Sequence, residues 1–150
     1  MSDVLLIVHI LAVAVWFGAN VVQFFMAPRM GKADIAIAAA WQRSIVAMDT
    51  RLYTLAAIVA LVTGFGLVGT SDGAYAYSDP FVAIGIVTVA IGAVLGIRFF
   101  APQAEKAAGA YDSDDRSGGD AIVGRVGKVG AIDSVLLIAT VAAMVMKWGV

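Results

Sequence analysis

Ser71-Asp72-Gly73-Ala74-Tyr75-Ala76-Tyr77-Ser78-Asp79-Pro80 is the one connection between apolar stretches that carries no lysine or arginine. The connections on either side of it are basic. Arg29, Lys32, Arg43 and Arg51 follow the first apolar stretch, and Arg98, Lys106, Arg116, Arg125 and Lys128 lie at or beyond the end of the third. Short loops rich in Lys and Arg are retained on the cytoplasmic side, so this alternation predicts an all-α, four-span bundle with both termini outside. A hydrophobic fraction of 61% agrees, as soluble domains hold roughly 45–50% apolar residues. The expected setting is a cell's inner or plasma membrane, with the lipid bilayer as the main partner.

About 20 apolar residues are needed to cross roughly 30 Å of hydrocarbon. The apolar runs predict spans over about 3–26, 52–70, 81–100 and 130–148, within a single domain covering 1–150. Pro28 is expected to stop the first helix, and the fourth is expected to run from about 121 to 148. Residues 34–51 alternate apolar and polar side chains without turn residues, which predicts an amphipathic inner extension of the second helix. Residues 111–120, rich in Asp, Ser and Gly, read as a solvated turn with no packing role. Asp3 and the lack of a leading positive charge predict that the first helix is retained, not cleaved as a signal peptide.

Composition excludes several function classes. A net charge of −1 offers no basic face for nucleic acid. With no cysteine there are no disulfides, thiolate metal sites or cysteine nucleophiles. No carboxylate dyad, nucleophile with an adjacent base or phosphate loop is evident. Gly85, Gly92 and Gly96 of the third span, with Thr63, Gly64, Gly66 and Gly69 of the second, form small-residue faces suited to close helix packing or to a homodimer contact.

Polar residues inside the spans carry the functional information, because each costs free energy to place in lipid. His9, Trp16, Asn20 and Gln23 follow steps of 7, 4 and 3 residues, which puts all four on one narrow helical face. Asp133, Thr140, Met144 and Lys147 repeat those steps on the last helix. If the two helices are neighbours, His9 lies at the level of Met144 and Lys147, and Gln23 near Asp133. Asp133 is expected to pair with Arg51 or Arg98, either as a clamp between helices or as part of a proton relay. His9, the only histidine, reads in two ways. It is a polar residue bonded near the outer boundary, or an axial ligand to a haem b in the bundle, with Met144 or Lys147 opposite and Trp16 alongside. A polar permeation path past Trp16, Asn20 and Gln23, or a scaffold without cofactor, are the readings that need no haem.

The run His9-Ile10-Leu11-Ala12-Val13-Ala14-Val15-Trp16-Phe17-Gly18, followed by Pro28-Arg29, resembles the first helix of the HemJ family of four-helix bacterial protoporphyrinogen oxidases and of CopD-type copper-resistance membrane proteins. Arg51-Leu52-Tyr53 resembles the Arg-Leu-Tyr of HemJ. Ile132-Asp133 and Val145-Met146-Lys147 look more like a related family of predicted integral membrane proteins of unknown function, to which the chain is most similar. The HemJ resemblance implies a four-helix fold, a haem ligated through His9, a further basic residue for which Arg98 stands here, and oxidase activity. The third span departs from HemJ in lacking a histidine.

Overall fold

The computed structural model describes residues 2–149. Four antiparallel helices, α1 Ser2–Gly31, α2 Ile35–Gly69, α3 Pro80–Asp112 and α4 Arg116–Val145, are each long and apolar enough to cross a membrane. The chain is a multi-pass membrane protein. The start of α1 and the end of α4 lie with the 71–80 loop at one end of the bundle, the hairpin end; the two basic connections form the other. α1 packs along the hairpin-end half of α2 and along α4, α4 also packs on α3, and the basic-end part of α2 packs on that of α3. Large apolar side chains such as Leu11, Phe24, Leu55, Val94 and Val135 are exposed outward, as suits a surface facing hydrocarbon.

At 1.5 Å per residue a 35-residue helix is about 50 Å long, well beyond the hydrocarbon thickness. The excess lies at the basic end. There α2, α3 and the first turns of α4 make a compact extension around Ala38, Ala39, Ala107 and Tyr111, all almost fully buried. Residues 111–120 therefore have a packing role, contrary to the sequence expectation. The Tyr111 ring lies where a Cβ on Gly119 would come within 2.6 Å of Cζ, and its hydroxyl donates to Asp120 Oδ1 at 2.7 Å. Burial and the Asp120 carboxylate push this phenol up to about 12. Asp114, in the left-handed region at φ 64°, closes α3 with the Asp115 amide donating to the Ala110 carbonyl at 2.9 Å. Asp115 then caps α4, accepting from the Gly118 amide at 2.9 Å. Arg116 donates to the Gly31 and Ala33 carbonyls at 2.7 and 2.8 Å, which ties the first connection to the second.

Several boundaries differ from the sequence reading, α3 running on past 100 to Asp112 and α4 starting at Arg116 instead of about 121. α1 continues one turn past Pro28 to Gly31. α4 ends at Val145 because Lys147 takes a left-handed conformation, φ 49°, and the Trp148 amide donates back to the Ala143 carbonyl at 3.1 Å.

Both middle helices carry a π-helical turn at the level where the apolar spans give way to the extension. These are Met48–Tyr53 in α2 and Gly96–Phe100 in α3, and they pack on each other. Pro102 follows the second of them, and a wider turn relieves the clash of its ring with the carbonyl four residues back. In the first, the Thr54 hydroxyl donates to the Asp49 carbonyl at 3.0 Å.

Candidate functional site

The polar face of α1 points into the bundle, and its residues divide into two clusters separated by an apolar layer. In the cluster towards the basic end, Tyr53 from α2 sits between two residues of α1. Gln23 Nε2 donates to the Tyr53 hydroxyl at 2.9 Å, and that hydroxyl donates to Asn20 Oδ1 at 2.7 Å. The Asn20 amide reaches α4, donating to Asp133 Oδ2 and Ser134 Oγ, both at 3.3 Å. Three helices are thus joined by one chain of bonds.

Asp133 is buried, and its partner is Asn20 instead of the guanidinium expected from sequence. Arg51 and Arg98 both lie in the π-helical turns with their side chains exposed on the outside of the bundle. Among the described residues the ion pair is Arg43–Asp112, at 2.8 Å in the extension, with both side chains about half exposed. Gln23, expected beside Asp133, bonds to Tyr53 instead.

The apolar layer is Trp16, Ala56 and Leu137, all buried, with Val13, Ala57 and Val89 around them. Trp16 meets the Tyr53 ring edge-on at a centroid distance of 6.5 Å. Its benzo edge lies against Gly92 of α3, where a Cβ would come within 2.6 Å of Cη2. The glycine is the notch that lets the indole fill the centre of the bundle.

Beyond that layer, towards the hairpin end, His9 Nδ1 lies 2.9 Å from the Ala60 carbonyl and 3.1 Å from Thr63 Oγ1. A carbonyl can only accept, so Nδ1 carries a proton and Nε2 is the nitrogen left free in the neutral ring. Gly64 makes this approach possible, since a Cβ there would sit 3.3 Å from His9 Cε1. Thr140 Oγ1 donates to the Leu136 carbonyl at 2.9 Å. Thr88 Oγ1, 2.7 Å away, is then the donor of their shared bond.

His9, Trp16, Thr88, Thr140 and Met144 line a cavity of about 30 Å³. That is room for one water molecule. Met144 therefore shares a space with His9, as expected; its methyl group lies over Gly85, a second glycine notch on α3. Lys147 does not join them. The left-handed turn lifts it out of the stripe, and its amine lies 5.1 Å from the Tyr75 ring centroid in the hairpin loop.

A haem b would need more room than this arrangement shows. Pockets for ligands well below porphyrin size occupy about 300–1,000 Å³, and the space beside His9 is about 30 Å³. Among the described residues no group of three or more His, Cys, Asp or Glu side chains could hold a metal ion. The glycines of the small-residue faces are mostly filled from within the chain, Gly64 and Gly66 by His9 and Leu5, Gly85 and Gly92 by Met144 and Trp16, whereas Gly96 has no atom within 4 Å of a built Cβ.

The polar periodicity passed over Ser134 and Thr88, and Tyr53 entered only through the Arg51-Leu52-Tyr53 resemblance, without an inward role. Tyr53 stands four residues after Asp49 at the head of an apolar span, a position equally suited to a membrane-interface tyrosine, so spacing alone did not turn it inward. Compared with family models, with curated proteins and with solved structures, the chain matches none.

Proposed function

We propose that this membrane protein passes protons across the bilayer along the seam from His9 to Asp133, with Trp16 as the closed gate between them. The observation that supports it most is that two ionisable side chains lie inside the apolar spans with neutral partners only. His9 is held by a backbone carbonyl and Thr63, and Asp133 by an asparagine amide. Ionisable residues within membrane helices are costly and mark ion and proton paths. A purely structural clamp would be expected to neutralise the carboxylate with one of the nearby arginines.

The scale of the seam favours a proton over a larger solute. His9 and Asn20 are 11 residues apart, about 16 Å along the helix. The cavity between them has room for one water, and the Trp16 layer below it is apolar and buried. A proton needs only a transient file of water past the indole edge, whereas a solute the size of glycerol needs the helices to part. The basic end faces the cytoplasm in this account, following the charge asymmetry of the loops.

A second reading, a haem b ligated by His9, has one supporting observation. The Nδ1 bond to the Ala60 carbonyl is the kind of outer contact that orients a metal-bound imidazole with Nε2 free. It requires α3 or α4 to move away from α1 to open a porphyrin-sized space.

Vesicles reconstituted with the purified protein test both readings. The first expects a potential-driven pH change inside the vesicles, lost in His9→Ala, with no swelling in a glycerol gradient. Glycerol-driven swelling would replace the proton with a larger solute. The second expects a Soret band in protein expressed with ample haem, lost in His9→Ala; a colourless preparation removes it.

A further inference from the structure

Asp49 is a buried carboxylate that the seam as described does not use. It lies in the π-helical turn of α2 and is 9% exposed. Its Oδ2 is the buried side-chain oxygen without a hydrogen-bond partner among the described residues. Buried polar groups are nearly always satisfied, and one that is not needs an explanation. Four residues on is Tyr53, whose hydroxyl joins Gln23 and Asn20 and through them Asp133. Side chains four apart lie close to one face in an α-helix, and they stay near one another in the wider π-helical turn, which closes with i to i+5 bonds. The free carboxylate oxygen therefore belongs to the same face as the bonded network, one turn closer to the basic end.

The charged groups on the elements packed around it do not neutralise it. Arg51 in the same turn and Arg98 in the facing turn of α3 are exposed, and Asp133 on α4 is a second carboxylate, not a cation. The π-helical geometry itself points to a role, since such turns are uncommon and recur at functional sites.

Resting on the proton-path reading, we infer that Asp49 is the group through which the seam exchanges protons with water at the basic end. In the inward direction Asp133 releases its proton past the Tyr53 layer, Asp49 Oδ2 takes it up, and Asp49 then gives it to water at the boundary. Each carboxylate returns to its charged form and no other reactant is consumed. Asp49 thus stands to the basic end as His9 stands to the hairpin end.

The test uses the full chain in vesicles, with a pH-sensitive dye and an imposed potential, together with infrared difference spectra recorded while the pH is stepped. Asp49→Asn should reduce proton flux to that of protein-free vesicles, Asp49→Glu should recover part of it, and Asp49→Asn should lack one carboxyl band that responds to pH in the wild type. Unchanged flux in Asp49→Asn, with the wild type conducting, overturns the assignment and leaves the proton path standing. A wild type that conducts no protons removes the path itself. A wild-type spectrum in which no Asp49 band responds to pH overturns the assignment even if Asp49→Asn fails to fold.

Discussion

Gly92→Ala isolates the contact that closes the bundle. A Cβ at that position would lie 2.6 Å from Trp16 Cη2 and closer still to Cζ2, against a comfortable carbon–carbon separation of about 3.5–4.0 Å. The indole or α3 must shift by about 1 Å. The indole cannot swing aside, because it is only 6% exposed and is held by Ala56, Leu137 and the Tyr53 edge. Overpacking of this kind costs about 1–3 kcal/mol. Gly96→Ala, one turn along the same helix, meets no atom within 4 Å. Both positions have right-handed helical backbone, Gly96 at the head of the π-helical turn, so the indole contact dominates the difference between them. Gly92→Ala should therefore be less stable than Gly96→Ala by about 1–3 kcal/mol, read from reversible unfolding in mixed micelles of increasing SDS fraction. Equal midpoints for the two variants would refute the placement of Trp16 against α3.

Gly85→Ala should cost less than Gly92→Ala in the same titration, because the Met144 thioether it meets is flexible and can move. Asp133→Ala strands the Asn20 amide and should destabilise by about 1–3 kcal/mol, whereas Asp112→Ala breaks an exposed ion pair and should cost about 0–1 kcal/mol; similar midpoints would place Asp133 against water. Tyr111 titrates at about 12, above its ordinary 10.0, so its contribution to stability is complete below pH 10 and is lost as pH rises through 12. Melting curves of the wild type should show that decline over the interval and Tyr111→Phe should not; parallel curves would contradict it. Finally, Asp72→Cys should react with an impermeant maleimide added to intact cells and Ser113→Cys should not, and the opposite pattern would invert the bundle in the membrane.

The four helices and their antiparallel order were legible because apolar runs of span length and the basic connections are properties of sequence alone. The inward face of α1 was legible too, since His9, Trp16, Asn20 and Gln23 repeat at the helical period and α1 has no π-helical turn to shift their phase. The partners of that face were not. Asp133 was expected to meet Arg51 or Arg98, yet both arginines lie in π-helical turns, where the extra residue rotates the face in a way that a regular period does not register. Lys147 fits the stripe of α4 by spacing and leaves it through a left-handed turn that no glycine announces. Asp49 was read as one polar position of an amphipathic extension, because nothing in its neighbours shows that the boundary turn buries it. Residues 111–120 read as solvent-filled from their Asp, Ser and Gly content, although Gly119 is small in order to admit the Tyr111 ring.

Proton entry into vesicles holding wild-type protein and Asp133→Asn at equal density tests the central claim most directly. Asparagine keeps the size of Asp133 and a hydrogen-bond acceptor for Asn20 while removing the group that can take up a proton, so folding and helix packing should be unchanged. The account predicts a potential-driven pH change with the wild type and a rate indistinguishable from protein-free vesicles with Asp133→Asn. Equal rates for the two proteins, or a wild type no faster than lipid alone, would contradict it.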